Sequence, residues 1–275
     1  MMEVGIFAKT FAGPLPDVLR AIEDQGLSRI QFNFSCAGLP SMPDAVDAST
    51  RLFIQQALAQ SSVTLEAVSG TFNMIHPDRS VRVNGLRQLG VIAAQCAWLG
   101  TNLLTLCTGT RHKIDMWTAH PDNDRPDAWY DLRESLDKAL ELAEQHNLYL
   151  GIEPETANVI NTVEKAAQLL KEVRSPRLRI IFDPANLFEH EPLSVVRQRI
   201  TRGLDQLGDA IQSVHAKDRD ASGQVVAAGT GRLPYNDFIQ GLRAINYRGN
   251  LILHGLSSAE VSTSIAFIRQ LLHQK

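Results

Sequence analysis

The chain holds 275 residues, 44% of them apolar and 21% charged, which allows a sizeable core and excludes bulk disorder. Lys and Arg total 27 against 30 Asp and Glu, a net charge of −3 that leaves no electrostatic footprint for nucleic acid or an anionic membrane. No apolar run reaches the roughly 20 residues of a bilayer span, and no signal-peptide pattern opens the chain. The three cysteines (Cys36, Cys96 and Cys107) form no CxxC pair and read as reduced thiols, so a cytoplasmic location is expected.

Short apolar runs of strand composition recur along the chain, each followed by a helical stretch. The first three are Val4 to Ala8, Arg29 to Phe34 and Val63 to Val68. The third leads into Asn73-Met-Ile-His76-Pro-Asp78, after which Leu86, Leu89, Ala93, Cys96 and Leu99 mark one helix face before a stop at Gly100. Asn102 to Leu106 is the fourth run. A long connection from Thr108 to Asp127 comes next, carrying Met116 and Trp117, and suits a lid, a substrate wall or an oligomer contact. Trp129, Leu132, Leu136, Ala139, Leu140 and Ala143 then share a helix face, with Asp127 as expected N-cap and Pro126 just outside. Leu148 to Ile152 precedes a helix over Thr162 to Val173, and Leu178 to Phe182 comes after it. The last runs are Ile211 to Val214 and Leu251 to Leu253, ahead of a helix over Glu260 to Leu272. Strict alternation demands a parallel sheet covered by helices, and eight units predict a closed (β/α)8 TIM barrel rather than an open doubly wound sheet. No linker divides the chain, so residues 1–275 are expected to form a single domain.

Catalytic groups of such barrels sit at the C-terminal ends of the strands, and ionisable residues gather there in this chain. The fifth run ends in Glu153-Pro-Glu155, the sixth in Asp183-Pro-Ala-Asn186, the seventh in His215-Ala-Lys217-Asp218 and the eighth in His254. Oxygen and nitrogen donors converging from neighbouring strands are what a divalent cation needs. Each has a plainer alternative. Asp183 opens a turn before Pro184, His215 fits a satisfied core histidine, and His76-Pro-Asp78 makes a helix-entry turn. Lys217 with Asp218 is either a solvated pair or an anchor for an anionic or hydroxylated substrate. Gly229-Thr-Gly-Arg232 either exposes backbone N–H groups to an anion or forms a flexible loop.

Several stretches together resemble the xylose-isomerase-like barrels, also called the sugar phosphate isomerase/epimerase family. They are Phe72-Asn-Met-Ile-His-Pro-Asp78, Leu99-Gly-Thr, Gly151-Ile-Glu-Pro-Glu155, Phe182-Asp-Pro-Ala-Asn-Leu187, Val214-His-Ala-Lys-Asp-Arg219, Gly229-Thr-Gly-Arg-Leu and Tyr247-Arg-Gly-Asn-Leu. The resemblance implies one divalent metal ion (Mn, Zn, Co or Mg) held by Glu153, Asp183, His215 and a fourth residue on the last strand. There the family usually has Glu and this chain has His254. It further implies a metal-dependent isomerase or epimerase of a small sugar, sugar acid or polyol, with Glu153 and either His254 or Glu155 as bases. His76, Asn186, Lys217, Trp117 and Arg232 are then the candidate substrate contacts. A dehydratase of the same fold and a non-catalytic sugar-binding barrel with a degraded metal site are the alternatives. A small-molecule carbohydrate is the expected partner, with no nucleic acid and no membrane, and the chain is expected to form a homo-oligomer, a dimer or tetramer.

Overall fold

The computed structural model describes residues 2–274. Eight parallel strands close into a barrel: β1 (Val4–Phe7), β2 (Arg29–Phe32), β3 (Thr64–Ser69), β4 (Leu103–Leu106), β5 (Tyr149–Ile152), β6 (Leu178–Phe182), β7 (Ile211–Ala216) and β10 (Leu251–Leu253). Two short strands outside the barrel, β8 (Asp218–Arg219) and β9 (Val225–Val226), lie between the last two. Each barrel strand contains or overlaps one of the apolar runs. Closure is made where β10 pairs with β1, Val4 opposite Leu251 and Ile6 opposite Leu253. Around the barrel lie α1 (Leu15–Asp24), α2 (Ala48–Ala59), α3 (Arg79–Leu99), α4 (Pro126–Gln145), α5 (Val163–Val173), α6 (Leu193–Leu207), α7 (Tyr235–Ala244) and α8 (Val261–His273). Strands covered on both faces are mainly apolar, and β4, Leu-Leu-Thr-Leu, is buried at all four positions. Among the described residues no helix is long and apolar enough to cross a membrane.

Local chemistry sets the helix boundaries. The Asp78 side chain accepts from Ser80 N at 2.8 Å to start α3, and Gly100 ends it at φ +77°, the left-handed conformation that glycine adopts without a Cβ clash. Helix α4 starts earlier than expected. Arg125 is its N-cap, Pro126 takes the first helical position, and Asp127 lies in the first turn. Proline suits that position because its fixed φ is helical and its missing N–H would have no partner there.

The connection from β7 to α7 is not a plain flexible loop. Strands β8 and β9 form a short antiparallel ladder within it. The Asp218 carboxylate organises the rest of the connection. Oδ1 accepts from Arg219 N and Leu233 N, both at 2.8 Å, and Oδ2 from Gly231 N at 3.0 Å and Gly229 N at 3.3 Å. The glycine N–H groups that an anion could have used are thus committed inside the chain.

Candidate metal centre at the barrel mouth

Three strand ends deliver ligand-type atoms to one point. Glu153 follows β5, and its N–H donates to Leu106 O at 3.0 Å, extending the β4 ladder by one residue. Asp183 follows β6 and uses Oδ1 to accept from Ala185 N at 2.9 Å, so the turn-opening role is real but occupies only one oxygen. His215 lies within β7, opposite Ile252 of β10, and is buried. One ligand atom from each of Glu153, Asp183 and His215 lies within 4.8 Å of the others.

The tautomer of His215 is read from across the barrel. Its Nε2 faces Gln31 Oε1 at 2.8 Å, while Gln31 Nε2 donates to Thr105 Oγ1 at 3.2 Å. With the amide so oriented, Nε2 carries the proton and Nδ1 the lone pair. That Nδ1 stands 3.2 Å from Glu153 Oε2 and makes no hydrogen bond, and buried Asp183 Oδ2 has the Lys217 ammonium, at 3.2 Å, as its partner. A lone pair aimed at a carboxylate is unfavourable unless a cation lies between them, and buried polar atoms without partners are costly. The donor set therefore fits a divalent ion, with Gln31 holding the tautomer from outside the ligand sphere.

Lys217 brings a competing charge. Its Nζ is 3.2 Å from Asp183 Oδ2, 3.8 Å from Glu153 Oε1 and 3.9 Å from Glu155 Oε2. Burial alone would lower its pKa, but the three carboxylates outweigh burial and hold it above the ordinary lysine value. For Glu153 burial favours the neutral carboxyl, and the Lys217 ammonium 3.8 Å away acts against it. Glu155 and Asp183 are both raised, by burial first, with Lys217 acting against the rise. Three carboxyls facing one ammonium leave the cluster short of positive charge.

His254 is close but not among the converging groups. Its ring is stacked between Phe7 (5.1 Å, 15°) and His215 (5.1 Å, 24°). Imidazole lone pairs lie in the ring plane, so a ring stacked nearly parallel to His215 is poorly placed to share an ion with it, although its Nδ1 too makes no hydrogen bond. Burial, with Lys217 adding to it, pushes the His254 pKa down to about 3, leaving a neutral ring.

The centre opens into a cavity of about 400 Å³ whose wall includes Glu153, Glu155, Lys217, His254, Met116 and Trp117. Its remaining lining is mostly neutral and polar, with Gln31, Asn33, Ser69, Thr71 and Thr105 among it, plus Phe7 from β1 and Lys9 just beyond. None of these stands out in the sequence; the one available signal is Gln31 and Asn33 interrupting an apolar run. Cys107 also lines the cavity, but burial pushes its thiol pKa up, leaving an inert packing residue.

Three candidate substrate contacts lie elsewhere. Asn186 is buried and donates from Nδ2 to Glu153 Oε1 at 2.9 Å and to Pro154 O at 3.1 Å, so it orients the carboxylate instead of facing the cavity. His76 closes the entry turn of α3, its Nδ1 accepting from Asp78 N at 3.1 Å. Arg232 reaches Glu191 O at 3.1 Å. A wider cavity of about 720 Å³ beside the Thr108–Asp127 loop is lined by Arg111, Asp127 and Asp131 and by none of the converging groups. Its Arg111 is already paired with Asp131 at 2.6 Å.

Solved structures of like architecture cover almost all of the chain. A 3-keto-D-glucoside 4-epimerase from E. coli is 18% identical over 98% of this chain and 100% of its own, with a TM-score of 0.77. A probable 3-DHS dehydratase from Bacillus anthracis is 16% identical over 98% and 99%, with a TM-score of 0.75. The IolI protein, solved with a bound zinc atom, is 13% identical over 98% of each chain, with a TM-score of 0.72. No curated protein matches the sequence. The family model described as xylose isomerase-like TIM barrel matches residues 14–271, and with the closed barrel this places the chain in that family.

Proposed function

We propose that the protein is a metal-dependent isomerase or epimerase of a small sugar, sugar acid or polyol. The observation that carries this reading is the convergence of Glu153, Asp183 and His215, with the His215 Nδ1 lone pair turned inward by Gln31, beside a polar cavity that Glu153 lines. Three protein ligands with room for a further donor are the pattern of catalytic rather than structural sites. The bound zinc of IolI and the epimerase among the structural neighbours support it.

A divalent ion held there would supply Lewis acidity to oxygens on adjacent substrate carbons. The chain's own groups handle the proton. Glu153, oriented by Asn186, accepts the proton from substrate carbon at a carboxylate oxygen. Glu155, whose carboxyl pKa is raised by burial, is the second titratable carboxyl facing the cavity. His254, neutral and stacked, shapes the wall. Hydroxyl and amide side chains of β2, β3 and β4 suit a polyhydroxylated ligand, and Trp117 with Met116 offers an apolar face and limits water.

Dehydration is the second reading, and one feature favours it. Both carboxyls facing the cavity, Glu153 and Glu155, come from the end of β5, while β10 offers a neutral ring where the family usually has Glu. The test is solvent deuterium incorporation into C–H positions of a panel of sugars, sugar acids and polyols after manganese reconstitution. Exchange without a change of composition supports the isomerase or epimerase; loss of water from product mass supports the dehydratase. No exchange and no product across the panel contradicts both.

A further inference from the structure

Asp183 has one oxygen to offer a cation. Oδ1 is held by Ala185 N at 2.9 Å, and Oδ2 has Lys217 Nζ at 3.2 Å as its only close cation among the described residues. A metal ion bound to that oxygen and an ammonium at that distance from it would repel strongly, because two positive groups so close in a buried site are poorly screened. The backbone at Lys217 cannot give way. Its carbonyl accepts from Tyr235 OH at 2.8 Å, and Asp218 next to it is tied to four N–H groups. The side chain has a second partner on the cavity side, because the Glu155 carboxylate stands 3.9 Å from the same Nζ.

We propose that Lys217 is the resident cation of the metal seat, held against Asp183 in the metal-free protein and handed to Glu155 when a divalent ion enters. This rests on the metal-binding reading above. The arrangement has two consequences. The metal-free barrel is spared an uncompensated buried carboxylate cluster, and metal affinity is set below what Glu153, Asp183 and His215 would give unopposed. Lys217 thus sets metal occupancy without being a ligand.

The test is Mn²⁺ titration, by calorimetry or by the electron spin resonance signal of free manganese, of wild type, Lys217→Met, Glu155→Gln and the double variant. Lys217→Met is expected to bind Mn²⁺ at least about tenfold more tightly than wild type, since a neighbouring positive charge is removed. Glu155→Gln is expected to weaken binding in wild type, where it removes the landing partner, and to have much less effect once Lys217 is gone. Equal or weaker binding by Lys217→Met overturns the handover and leaves the metal reading standing. Failure of every variant to bind Mn²⁺, Zn²⁺ or Co²⁺ overturns both. Should Lys217→Met fold only with metal, it is purified in Mn²⁺ and treated with chelator. A fall in Tm much larger than that of wild type supports the proposal, and an equal fall overturns it.

Discussion

The chemistry of the centre turns on how individual side chains use their polar atoms. Asp183 divides its two oxygens between a backbone cap and the cation seat, and Gln31 commits its whole amide to fixing one histidine tautomer. Gln31→Leu removes the acceptor for His215 Nε2 and frees the ring to turn or change tautomer. Metal affinity is expected to fall about 10- to 100-fold, as for other partners that orient metal ligands, and a manganese titration checks it. His254 is expected to behave as a wall and not a ligand, so His254→Ala retains the metal with little loss of affinity. His254→Glu, which restores a carboxylate where the family usually has one, is expected to bind metal more tightly than wild type. Metal analysis of the three proteins side by side decides this, and loss of metal from His254→Ala alone contradicts it.

Among the elements, the β7–α7 connection and the Thr108–Asp127 loop have different roles. The first is a rigid support. Asp218 satisfies four backbone N–H groups, so Asp218→Ala leaves those of buried Arg219 and Leu233 without partners and frees those of exposed Gly229 and Gly231. A loss of roughly 3 kcal/mol or more is expected from that many unmade hydrogen bonds, read as a lower urea midpoint with an unchanged slope. The second carries the cavity wall. Trp117 lines the cavity while remaining half exposed, at 55%, and Met116 lines it beside Trp117. Trp117→Ala is expected to raise KM with little change in kcat, because it removes contact area present in ground and transition states alike. A fall in kcat with KM unchanged would instead place Trp117 at the reacting atoms.

For the whole molecule, the barrel is legible in the sequence because each unit announces itself locally. A fully covered strand needs an apolar run, and a core-facing helix needs a three-and-four stripe. The ligand candidates Glu153, Asp183 and His215 are legible for the same reason, since each lies at the end of a run. What closure brings together is not. Gln31 and His215 are 184 positions apart and meet across the barrel interior. The stacking of His254 on Phe7 depends on β1 being the neighbour of β10, and on ring orientations that no pattern encodes. Lys217 reads as a substrate anchor in the sequence because nothing local shows that three carboxylates surround its end. Asn186 and Arg232 follow their motifs but point into the scaffold.

Whether Glu153, Asp183 and His215 form a seat for one divalent ion is decided by metal content. The proteins to compare are wild type and Asp183→Asn, each reconstituted with manganese and then freed of excess ion. Asparagine can still accept from Ala185 N, so the turn survives while the charged oxygen is lost. Wild type is expected to hold about one ion per chain, as a single three-ligand centre does, and Asp183→Asn little or none. An empty wild type, or equal occupancy in both proteins, would contradict the assignment.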